Sequence, residues 1–576
     1  MTTDGRVDGG TLLAGTLHRG GVQTVFGLHG GHLNPFLLAC AKEGIRLVDG
    51  RHETAVVNAA DGFARATGTL GVATVTAGAG FANALPGLVS AFVDRVPLLV
   101  ITSSPPLRES ELNELQGGFD QIGIVRPMTK WAHRVTSTER IPDLVALAIR
   151  KALAGPPGPV LLDIPVDIMF AAVSADSLPP TGNVGVGDRP APTAAAVEQI
   201  GTLLRAAARP AIVAGSGVRW SGAQAELRQF AERAGIPVFN QVSSFAGLPP
   251  DHRLNAYGAW NLGALEVECG ARPDLVLLFG ARLGRYLGGR SGSMVPLAAK
   301  VVQVDLDASE IGRVRPVELP VVADVGHTLR ALLADPRPYP DWSDWASGAA
   351  AVHRRASNFA DDPLEIDGRM HPYHAVREVM NSIGPGASII IDGGEAAGWA
   401  VESLHESRPA DVMGMGGYLG ILGLTTGLSV GVQVARPAGR VVVFCGDGAA
   451  GFHIQEFDTM VRHRLPVITV VVNNAQWAQS VRGQHREYGS AGEIISHLAD
   501  TDYERVAQGF GAYGERVAKV GDIPAAVARA IESGLPALIN LSVSASPEPK
   551  TAAGMGKKAQ GDSLALPYYE AVPAPY

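Results

Sequence analysis

Short runs of apolar, mostly β-branched residues recur along the chain and alternate with helix-length segments of mixed polarity. The runs are VQTVFGLHG, LGVATVTAG, VPLLVITSS and GPVLLDIP early in the chain, PAIVAGSG, LVLLFGA and AKVVQVDLD in the middle, and SIIIDGG, RVVVFCGDG, PVITVVVNN and PALINLSV late. Strands that are apolar throughout are typical of parallel sheets covered by helices on both faces. The pattern therefore predicts an α/β fold of doubly wound parallel sheets.

Two Pro- and Gly-rich stretches interrupt this alternation, near residues 178–193 and 335–345. Stretches of this kind are typical of linkers, so we expect three domains of similar size with one sheet each. The expected domains span residues 1–180, 190–335 and 365–545. The rest, residues 546–576, is rich in Pro, Gly and Ala and ends in an aromatic cluster. It predicts either a disordered terminus or a C-terminal lid.

Composition narrows the class of protein. With 46% hydrophobic and 18% charged residues, the 576-residue chain is not a disordered one, and its net charge of −8 argues against a nucleic-acid partner. Three scattered cysteines are too few for a disulfide framework and indicate a reducing compartment. The N-terminus lacks the pattern of a secretion signal, and the longest uncharged stretch, residues 66–93, contains polar residues and Pro. We expect a cytoplasmic protein with no membrane partner.

The strongest chemical signal lies at the ends of two late strands. RVVVFC leads into Gly446, Asp447 and Gly448, and VITVVV ends in Asn473 and Asn474. In a parallel sheet both turns emerge at the carboxyl edge, where ligands bind. A carboxylate and an amide oxygen suit Mg²⁺, and the glycines let the backbone approach a diphosphate closely. The two turns together predict a magnesium–diphosphate site.

These turns resemble the cofactor motif of thiamine diphosphate (ThDP)-dependent enzymes of the acetolactate synthase and benzaldehyde lyase group, and the resemblance covers nearly the whole chain. It implies pyrimidine-binding, middle and diphosphate-binding domains in that order. It implies that Mg²⁺ is bound by the side chains of Asp447 and Asn474 and by the carbonyl of Gln476, with the Leu422 side chain wedged between the two cofactor rings. The implied cofactor-binding residues are Gly394, Glu395, Gly420, Leu422, Gly446, Asp447, Gly448, Ala449 and Asn474.

Glu53 follows a strand end and leads into the helical pattern TAVVNAADGFARA. Taken alone, it reads as a carboxylate favoured by the helix dipole. The resemblance implies instead that Glu53 is the catalytic glutamate, which protonates the aminopyrimidine ring of ThDP, a task that suits a carboxylic acid in an apolar site. The family places this glutamate and the Asp447 motif on different subunits. A homo-oligomer is therefore expected, a dimer with shared sites that assembles into a tetramer.

Segments such as VFGLHGGH and GFDQIGIVRPMTKWAHRV resemble benzaldehyde lyase. By that likeness His29 and His32 transfer protons and Gln116 hydrogen-bonds a substrate oxygen, although an isolated His is more often structural. Val166 and Ala397 stand where benzaldehyde lyase has aromatic residues. The pocket is therefore expected to lack an aryl cage.

A related branch, the 2-hydroxyacyl-CoA lyases, resembles the chain better. The polar stretch from Gln479 to Arg486 offers donors and cations at the cleft mouth, and three lysines of the tail suit the phosphates of coenzyme A. The candidate substrate or coenzyme A contacts are Gln479, Lys550, Lys557 and Lys558. Glu493 is either an acid/base near the substrate hydroxyl or a helix-start carboxylate.

The expected reaction is cleavage of a short branched 2-hydroxyacyl-CoA, such as 2-hydroxyisobutyryl-CoA, into a ketone or aldehyde and formyl-CoA, with condensation as its reverse. The alternatives are a benzaldehyde lyase-like carboligase, and an acetolactate synthase-like or oxalyl-CoA decarboxylase-like enzyme. A catalytically silent binding protein is disfavoured because Glu53, Asp447 and Asn474 are all present.

The middle segment has nucleotide-like features: a glycine turn after a strand and acidic residues at strand ends. Family members bind FAD or ADP in this domain. The candidate ADP contacts are Gly215, Arg219, Asp305 and Asp324, although the glycine turn alone is equally consistent with a structural turn. A redox flavin is not expected, because lyase chemistry needs no electron acceptor.

Overall fold

The computed structural model describes residues 5–109, 112–241, 247–354, 359–414 and 417–549, together with the backbone of Ser563–Leu564 and Val572–Pro573. Three six-stranded sheets organise these residues, and every strand pair within them is parallel. The expected fold class is confirmed. Within the described ranges, no helix combines the length and the apolar character that a membrane crossing requires.

The N-terminal sheet is buried on both faces. In the strand Leu98–Ser104, Leu98 and Val100 join one apolar cluster, whereas Leu99 and Ile101 join the cluster on the opposite face. Across the sheet the strands are Arg46–Asp49, Thr24–Gly27, Gly71–Thr74, Leu98–Ser104, Val160–Pro165 and Trp131–Arg134. The helices are Gly9–Arg19, Asn34–Lys42, Glu53–Thr67, Ala79–Asp94, Gln121–Val125, Ile141–Leu153 and Val166–Phe170. A short pair, Arg6–Asp8 with Ala172–Ser174, lies outside the sheet.

The middle sheet is likewise covered on two sides: Leu277 and Phe279 face one cluster, and Val276 and Leu278 face the other. Across the sheet the strands are Asn255–Gly258, Val238–Asn240, Pro210–Ala214, Leu275–Phe279, Lys300–Asp305 and Leu319–Val322. The helices are Ala194–Ala206, Ser216–Trp220, Gln224–Ala234, Leu265–Cys269, Val325–Ala334 and Ser343–Ala351.

The C-terminal sheet carries the two turns singled out above. Across the sheet its strands are Asp411–Gly414, Ser388–Ile391, Val441–Gly446, Ile468–Asn473, Ala537–Ser542 and Tyr513–Val517. The helices are Pro372–Ser382, Glu395–Ser407, Leu424–Ala435, Asp447–His453, Glu456–His463, Ala478–Tyr488, Tyr503–Gly509 and Ile523–Glu532. Two small hairpins accompany them, Glu365–Ile366 with Arg369–Met370, and Ser563–Leu564 with Val572–Pro573.

The order of the strands differs among the sheets. With the strands of each six-stranded sheet numbered along the chain, the N- and C-terminal sheets share the order 2-1-3-4-6-5, whereas the middle sheet has the order 3-2-1-4-5-6. Ligands bind where such an order reverses, at the carboxyl ends of the two strands that flank the reversal. The reversals fall after Gly27 and Thr74, after Ala214 and Phe279, and after Ile391 and Gly446.

A close helix contact joins the N- and C-terminal domains. The helices Glu53–Thr67 and Leu424–Ala435 meet backbone to backbone, since a Cβ on Gly431 would stand 1.8 Å from the carbonyl oxygen of Ala59. A Cβ on Gly62 would likewise lie 2.1 Å from the carbonyl oxygen of Leu428. Only glycine permits this approach, which fixes the two domains against one another.

Candidate active site

Glu53 is the first residue of the helix Glu53–Thr67. The preceding residue, His52, caps this helix, because its Nδ1 accepts a hydrogen bond of 3.1 Å from the amide of Thr54. The Glu53 side chain is buried, and its Oε2 accepts a 3.0 Å hydrogen bond from Nδ2 of Asn83. Glu53 is thus a buried carboxyl beside the neutral amide of Asn83, at the place where the expected role needs an acid.

His29 and His32 lie on the loop after the strand Thr24–Gly27, at the reversal of the N-terminal sheet. A Cβ on Gly30, between them, would stand 2.2 Å from Oγ1 of Thr76; a Cβ on Gly80 would stand 2.9 Å from Cγ2 of Thr76 and 3.3 Å from Oε1 of Glu53. The histidine loop therefore reaches Glu53 across Thr76. Nε2 of His29 shares a 3.0 Å hydrogen bond with Asn34, and burial lowers the pKa of His32.

Gln116 lies over the start of the helix that supplies Asn83. It has a positive φ of 57°, and a Cβ on Gly78 would stand 2.7 Å from its Cα. Gln121 holds this region together: its Oε1 accepts from the amide of Gly78 at 3.0 Å, and its Nε2 donates to the carbonyl of Ser103 at 3.0 Å. A cavity beside Gln116 is lined by Ser104, Pro105, Phe119 and Arg134 among others. The structure thus places His29, His32, Glu53 and Gln116 along one sheet edge.

Asp447 begins the helix Asp447–His453 directly after a central strand of the C-terminal sheet. Its Oδ1 accepts from the amide of Gly448 at 3.0 Å and its Oδ2 from the amide of Gln476 at 3.1 Å. Burial raises the pKa of this carboxyl from its ordinary 3.8 to about 6. No Lys, Arg or His side chain of the described ranges forms an ion pair with it. A buried carboxylate with amide donors alone fits a site that is completed by a cation.

The two asparagines at the end of the next strand divide their tasks. Nδ2 of Asn473 donates to Oδ1 of Asn540 at 3.1 Å, and its own Oδ1 accepts from the amide of Ala475 at 3.2 Å. Ala475 has a positive φ of 59°, which turns the chain so that the amide of Gln476 reaches Asp447. Asn473 therefore stabilises the fold, and half-buried Asn474 stays the asparagine predicted to bind the metal.

Close packing leaves a backbone-lined cradle next to this turn. A Cβ on Gly448 would stand 2.3 Å from the indole of Trp477, and one on Gly446 would stand 3.8 Å from Cβ of Ala396. Gly394 has a positive φ of 76° and precedes the helix that starts at Glu395; a Cβ there would lie 4.0 Å from Oε1 of Gln479. The loops of Gly394, Gly446 and Gln479 thus converge, and Ala449 is buried on the same helix as Asp447.

Asp392, which the sequence analysis did not single out, holds the predicted pyrimidine loop. Both of its oxygens accept from the amide of Gly423 at 3.1 Å, and Oδ2 accepts from Oγ1 of Thr425 at 2.5 Å. This tie fixes the loop of Gly420 and Leu422, where Leu422 is half-buried and Gly420 has a positive φ of 71°. Its position directly after the apolar strand SIII was the sequence signal from which Asp392 could have been recognised as a site residue.

Arg482 connects the cradle to the start of the C-terminal segment. Its Nε donates to Oε2 of Glu395 at 3.1 Å, and its terminal nitrogens donate to the carbonyl oxygens of Ala545, Ser546 and Pro547 at 2.5, 3.2 and 2.6 Å. Burial raises the pKa of the Glu395 carboxyl. The predicted contacts Lys550, Lys557 and Lys558 fall outside the described residues.

Glu493 lies between two histidines. Its carboxylate oxygens bond Nδ1 of His485 at 2.7 Å and Nε2 of His497 at 3.2 Å, and the hydrogen bond from His485 chiefly lowers the pKa of Glu493. The loop that carries Glu493 returns to the turn after Asn473, the predicted metal turn. The amide of Trp477 donates to the carbonyl of Ser496, and that of Leu498 donates to the carbonyl of Ala475, both at 2.8 Å. An ionised carboxylate thus lies on a loop anchored to that turn.

The four candidate ADP contacts in the middle domain have protein partners. A Cβ on Gly215 would stand 2.1 Å from the carbonyl oxygen of Gly280. The guanidinium of Arg219 pairs with Asp411 at 2.8 Å and donates to the carbonyl of Arg65 at 2.7 Å. Asp305 pairs with Arg95 at 3.4 Å.

Asp324, the fourth, caps the helix Val325–Ala334 and pairs with Arg189 at 3.2 Å. The reversal of strand order does fall at Gly215 and Gly280, so ADP binding there stays a prediction.

The residues at the C-terminal edge fit ThDP and Mg²⁺. A divalent cation with a diphosphate matches three features of this edge. Asp447 and Asn474 offer hard oxygen donors, burial raises the pKa of the Asp447 carboxyl, and glycines line the cradle. Together with the buried carboxyl of Glu53, the chain holds both halves of such a site.

Comparison with known proteins agrees with this geometry. Residues 7–124 match the thiamine pyrophosphate enzyme N-terminal TPP binding domain, residues 197–332 the central domain, and residues 392–541 the C-terminal TPP binding domain. A probable acetolactate synthase of Mycobacterium bovis is 31% identical over 535 residues, which cover 92% of this chain and 95% of that protein.

A mouse protein, 2-hydroxyacyl-CoA lyase 2, is 31% identical over 545 residues, which cover 88% of this chain and 84% of the mouse protein; its human counterpart is 29% identical with the same coverage. Matches to all three family domains, on a fold with the expected sheets, establish that the chain belongs to the thiamine-diphosphate-dependent enzyme family.

Proposed function

We propose that the protein is a ThDP- and Mg²⁺-dependent carbon–carbon lyase that cleaves a short branched 2-hydroxyacyl-CoA, such as 2-hydroxyisobutyryl-CoA, into a ketone or aldehyde and formyl-CoA, and that also runs in reverse as a condensation. The observation that carries the proposal is Glu493, held by two histidines on the loop anchored to the predicted metal turn. Cleavage of a 2-hydroxyacyl group needs a base for the hydroxyl proton, and an ionised carboxylate on that loop suits this task.

Each edge of the site has its own task. When bound, ThDP supplies a nucleophilic carbon for the thioester carbonyl and a ring that stabilises the charge left when the bond between C1 and C2 breaks. Asp447, Asn474 and the carbonyl of Gln476 hold Mg²⁺ against the diphosphate, and the backbone near Gly420 positions the pyrimidine. Glu53 holds a proton at the pyrimidine ring nitrogen.

The substrate is handled by the remaining residues. Glu493 takes the proton of the 2-hydroxyl, Gln116 donates to the thioester oxygen, and His29 or His32 passes the proton on to the carbon that becomes the formyl group of formyl-CoA. Lys550, Lys557 and Lys558 of the tail, together with Gln479, meet the coenzyme A phosphates. The half-buried Val166 and Ala397 leave space for a branched aliphatic group in place of an aryl ring.

The assembly completes the proposal. Two copies share each site, with Glu53 from one and Asp447 from the other, and two such dimers form a tetramer in the cytoplasm. ADP occupies the middle domain beside Gly215. Sedimentation with and without ThDP and Mg²⁺ tests the assembly, and calorimetric titration with ADP tests the nucleotide site.

The substrate is tested by a mass-spectrometric product assay with ThDP and Mg²⁺ that compares 2-hydroxyisobutyryl-CoA, benzoin and pyruvate. Formyl-CoA and acetone from the thioester alone support the proposal. Acetolactate from pyruvate, with the thioester untouched, would establish the second candidate, which the acetolactate synthase relative favours. Benzaldehyde from benzoin would make the protein a carboligase of free hydroxyketones.

Glu493→Gln tests the observation itself. The amide cannot accept the hydroxyl proton, so we expect kcat for the thioester to fall by about 10²-fold or more with little change in KM. Glu487→Gln is the matched control, because Glu487 is an exposed carboxylate on the preceding helix. Equal kcat values for the two variants would remove Glu493 from the chemistry.

A further inference from the structure

Tyr418 lies at a point where side chains of all three domains meet. It precedes the loop of Gly420 and Leu422, and its amide donates to Oδ1 of Asp94, from the N-terminal domain, at 2.9 Å. The guanidinium carbon of Arg282, from the middle domain, stands 3.7 Å from the centroid of the Tyr418 ring. The phenol oxygen of Tyr418 is buried.

The middle domain adds a second contact to the same loop. The hydroxyl of Tyr286 donates to the carbonyl of Gly417 at 3.1 Å, and its ring meets the Tyr418 ring edge to face at 5.3 Å between centroids. Gly417 has a positive φ of 56°, and a Cβ there would stand 2.5 Å from Oδ2 of Asp94. The start of the loop is therefore fixed from two sides.

Arg282 is itself held in place. Its Nη1 donates to the carbonyl of Val93 at 2.7 Å, and its own carbonyl accepts from Nε2 of Gln241 at 2.8 Å. Oδ2 of Asp94, the neighbour of Val93, also accepts a hydrogen bond from Nη2 of Arg65 at 2.9 Å. Arg65 lies on the helix that begins with Glu53, so one network joins that helix, the middle domain and the cofactor loop.

We propose that Arg282 and Tyr286 are positioning residues, through which the middle domain holds Tyr418 and thereby sets the loop of Gly420 and Leu422 for the ThDP pyrimidine. A cation over a shielded aromatic face is a strong contact, stronger than the same pair in open water. The loop can thus be ordered before the cofactor arrives, which removes part of the entropy cost of binding. This inference rests on the proposed role of the loop in ThDP binding.

The test uses the full chain and two readouts. Hydrogen–deuterium exchange of the peptide spanning residues 417–423 in cofactor-free protein reports on the order of the loop, and titration with ThDP and Mg²⁺ reports on affinity. Arg282→Met, which keeps an apolar stem but no charge, should speed the exchange and weaken ThDP affinity about 10-fold. Arg282→Lys should keep most of the wild-type protection from exchange and most of the ThDP affinity. Arg313→Gln, which removes an exposed ion pair with Glu310, is the matched control.

Two further variants separate a positioning role from general stability. Tyr286→Phe removes only the oxygen that reaches Gly417, and should speed exchange of that peptide without lowering Tm. Tyr418→Leu combined with Arg282→Met should cost less affinity than the two single losses added together, because both changes remove the same contact. Wild-type exchange and affinity in Arg282→Met would overturn the inference. Absence of ThDP binding by the wild type would instead refute the proposed function, and the exchange data would still show whether Arg282 and Tyr286 order the loop.

Discussion

The N- and C-terminal sheets have the same strand order, yet they carry opposite halves of the site. In both, the order reverses between the first and third strands. In the N-terminal sheet that crevice holds His29, His32 and Thr76; in the C-terminal sheet it holds Gly394 and Asp447. Strand order therefore sets where a ligand can bind, and the turn residues give the two crevices different chemistry: histidines and a threonine in one, glycine and a carboxylate in the other.

The middle sheet sharpens this contrast. Its strand order is that of dinucleotide-binding domains. At the point where this order reverses, the backbones of Gly215 and Gly280 pack directly against each other. Two of its charged side chains pair with the neighbouring domains: Arg219 with Asp411, and Asp305 with Arg95. A domain that lacks both halves of the site thus contributes by holding the other two in place.

The first way to test the contrast is Glu53→Gln, at the proton-handling edge. The amide cannot cycle a proton, so we expect exchange of the ThDP C2 proton to slow by about 10²- to 10⁴-fold while cofactor affinity is kept. Proton exchange followed by NMR measures this directly. Glu43→Gln, on an exposed residue of the same domain, is the control, and a wild-type exchange rate in Glu53→Gln would assign the proton to another group.

Asp447→Asn breaks the metal-binding edge. Loss of the charged oxygen should weaken Mg²⁺-dependent ThDP binding by about 100-fold, measured by titration at pH 7.5. In the cofactor-free protein, by contrast, the same substitution should raise the free energy of unfolding at neutral pH. Since the folded pKa of about 6 lies above the ordinary 3.8, the ionised carboxylate lowers the stability of the fold as pH rises from 4 to 7.5, by about 2 kcal/mol.

The variant has no such charge, so the difference between its unfolding free energy and that of the wild type should grow in its favour over this pH range. Scans of both cofactor-free proteins at pH 4 and pH 7.5 measure that difference. A difference that does not change with pH would mean that Asp447 is ionised without cost in the cofactor-free fold.

Gly431→Ala tests the close helix contact between the N- and C-terminal domains. Its new methyl group would meet the carbonyl oxygen of Ala59 at 1.8 Å, so the helices must separate, and we expect a loss of about 3 kcal/mol or more. Gly15→Ala is the control, because a Cβ there meets only the end of the Arg19 side chain at 3.6 Å. Chemical denaturation of both variants measures the effect, and equal stabilities would show that the close helix contact is not needed.

The sequence predicted the fold, and it also predicts a metal-binding half of the site, because both leave local signals. Uninterrupted apolar runs indicate parallel strands, and a GDG turn and an NN turn, each after such a run, indicate the carboxyl edge. The partners that hold these groups come from distant parts of the chain and leave no such signal. Asn83 reaches Glu53 from the next helix, and Arg282 reaches Tyr418 from another domain, so only the tertiary structure reveals them.

The smallest expected effect concerns the two histidines of the N-terminal crevice. Burial lowers the pKa of His32, so its ring is neutral at neutral pH and can accept a proton there. If His32 is the histidine that receives the proton and passes it on, the acid limb of kcat against pH lies below 6.5, and His32→Gln should lower kcat a few-fold and remove that limb. His29→Gln, which instead breaks the hydrogen bond to Asn34, should leave the limb in place. An acid limb that persists in His32→Gln and disappears in His29→Gln would reverse the two assignments.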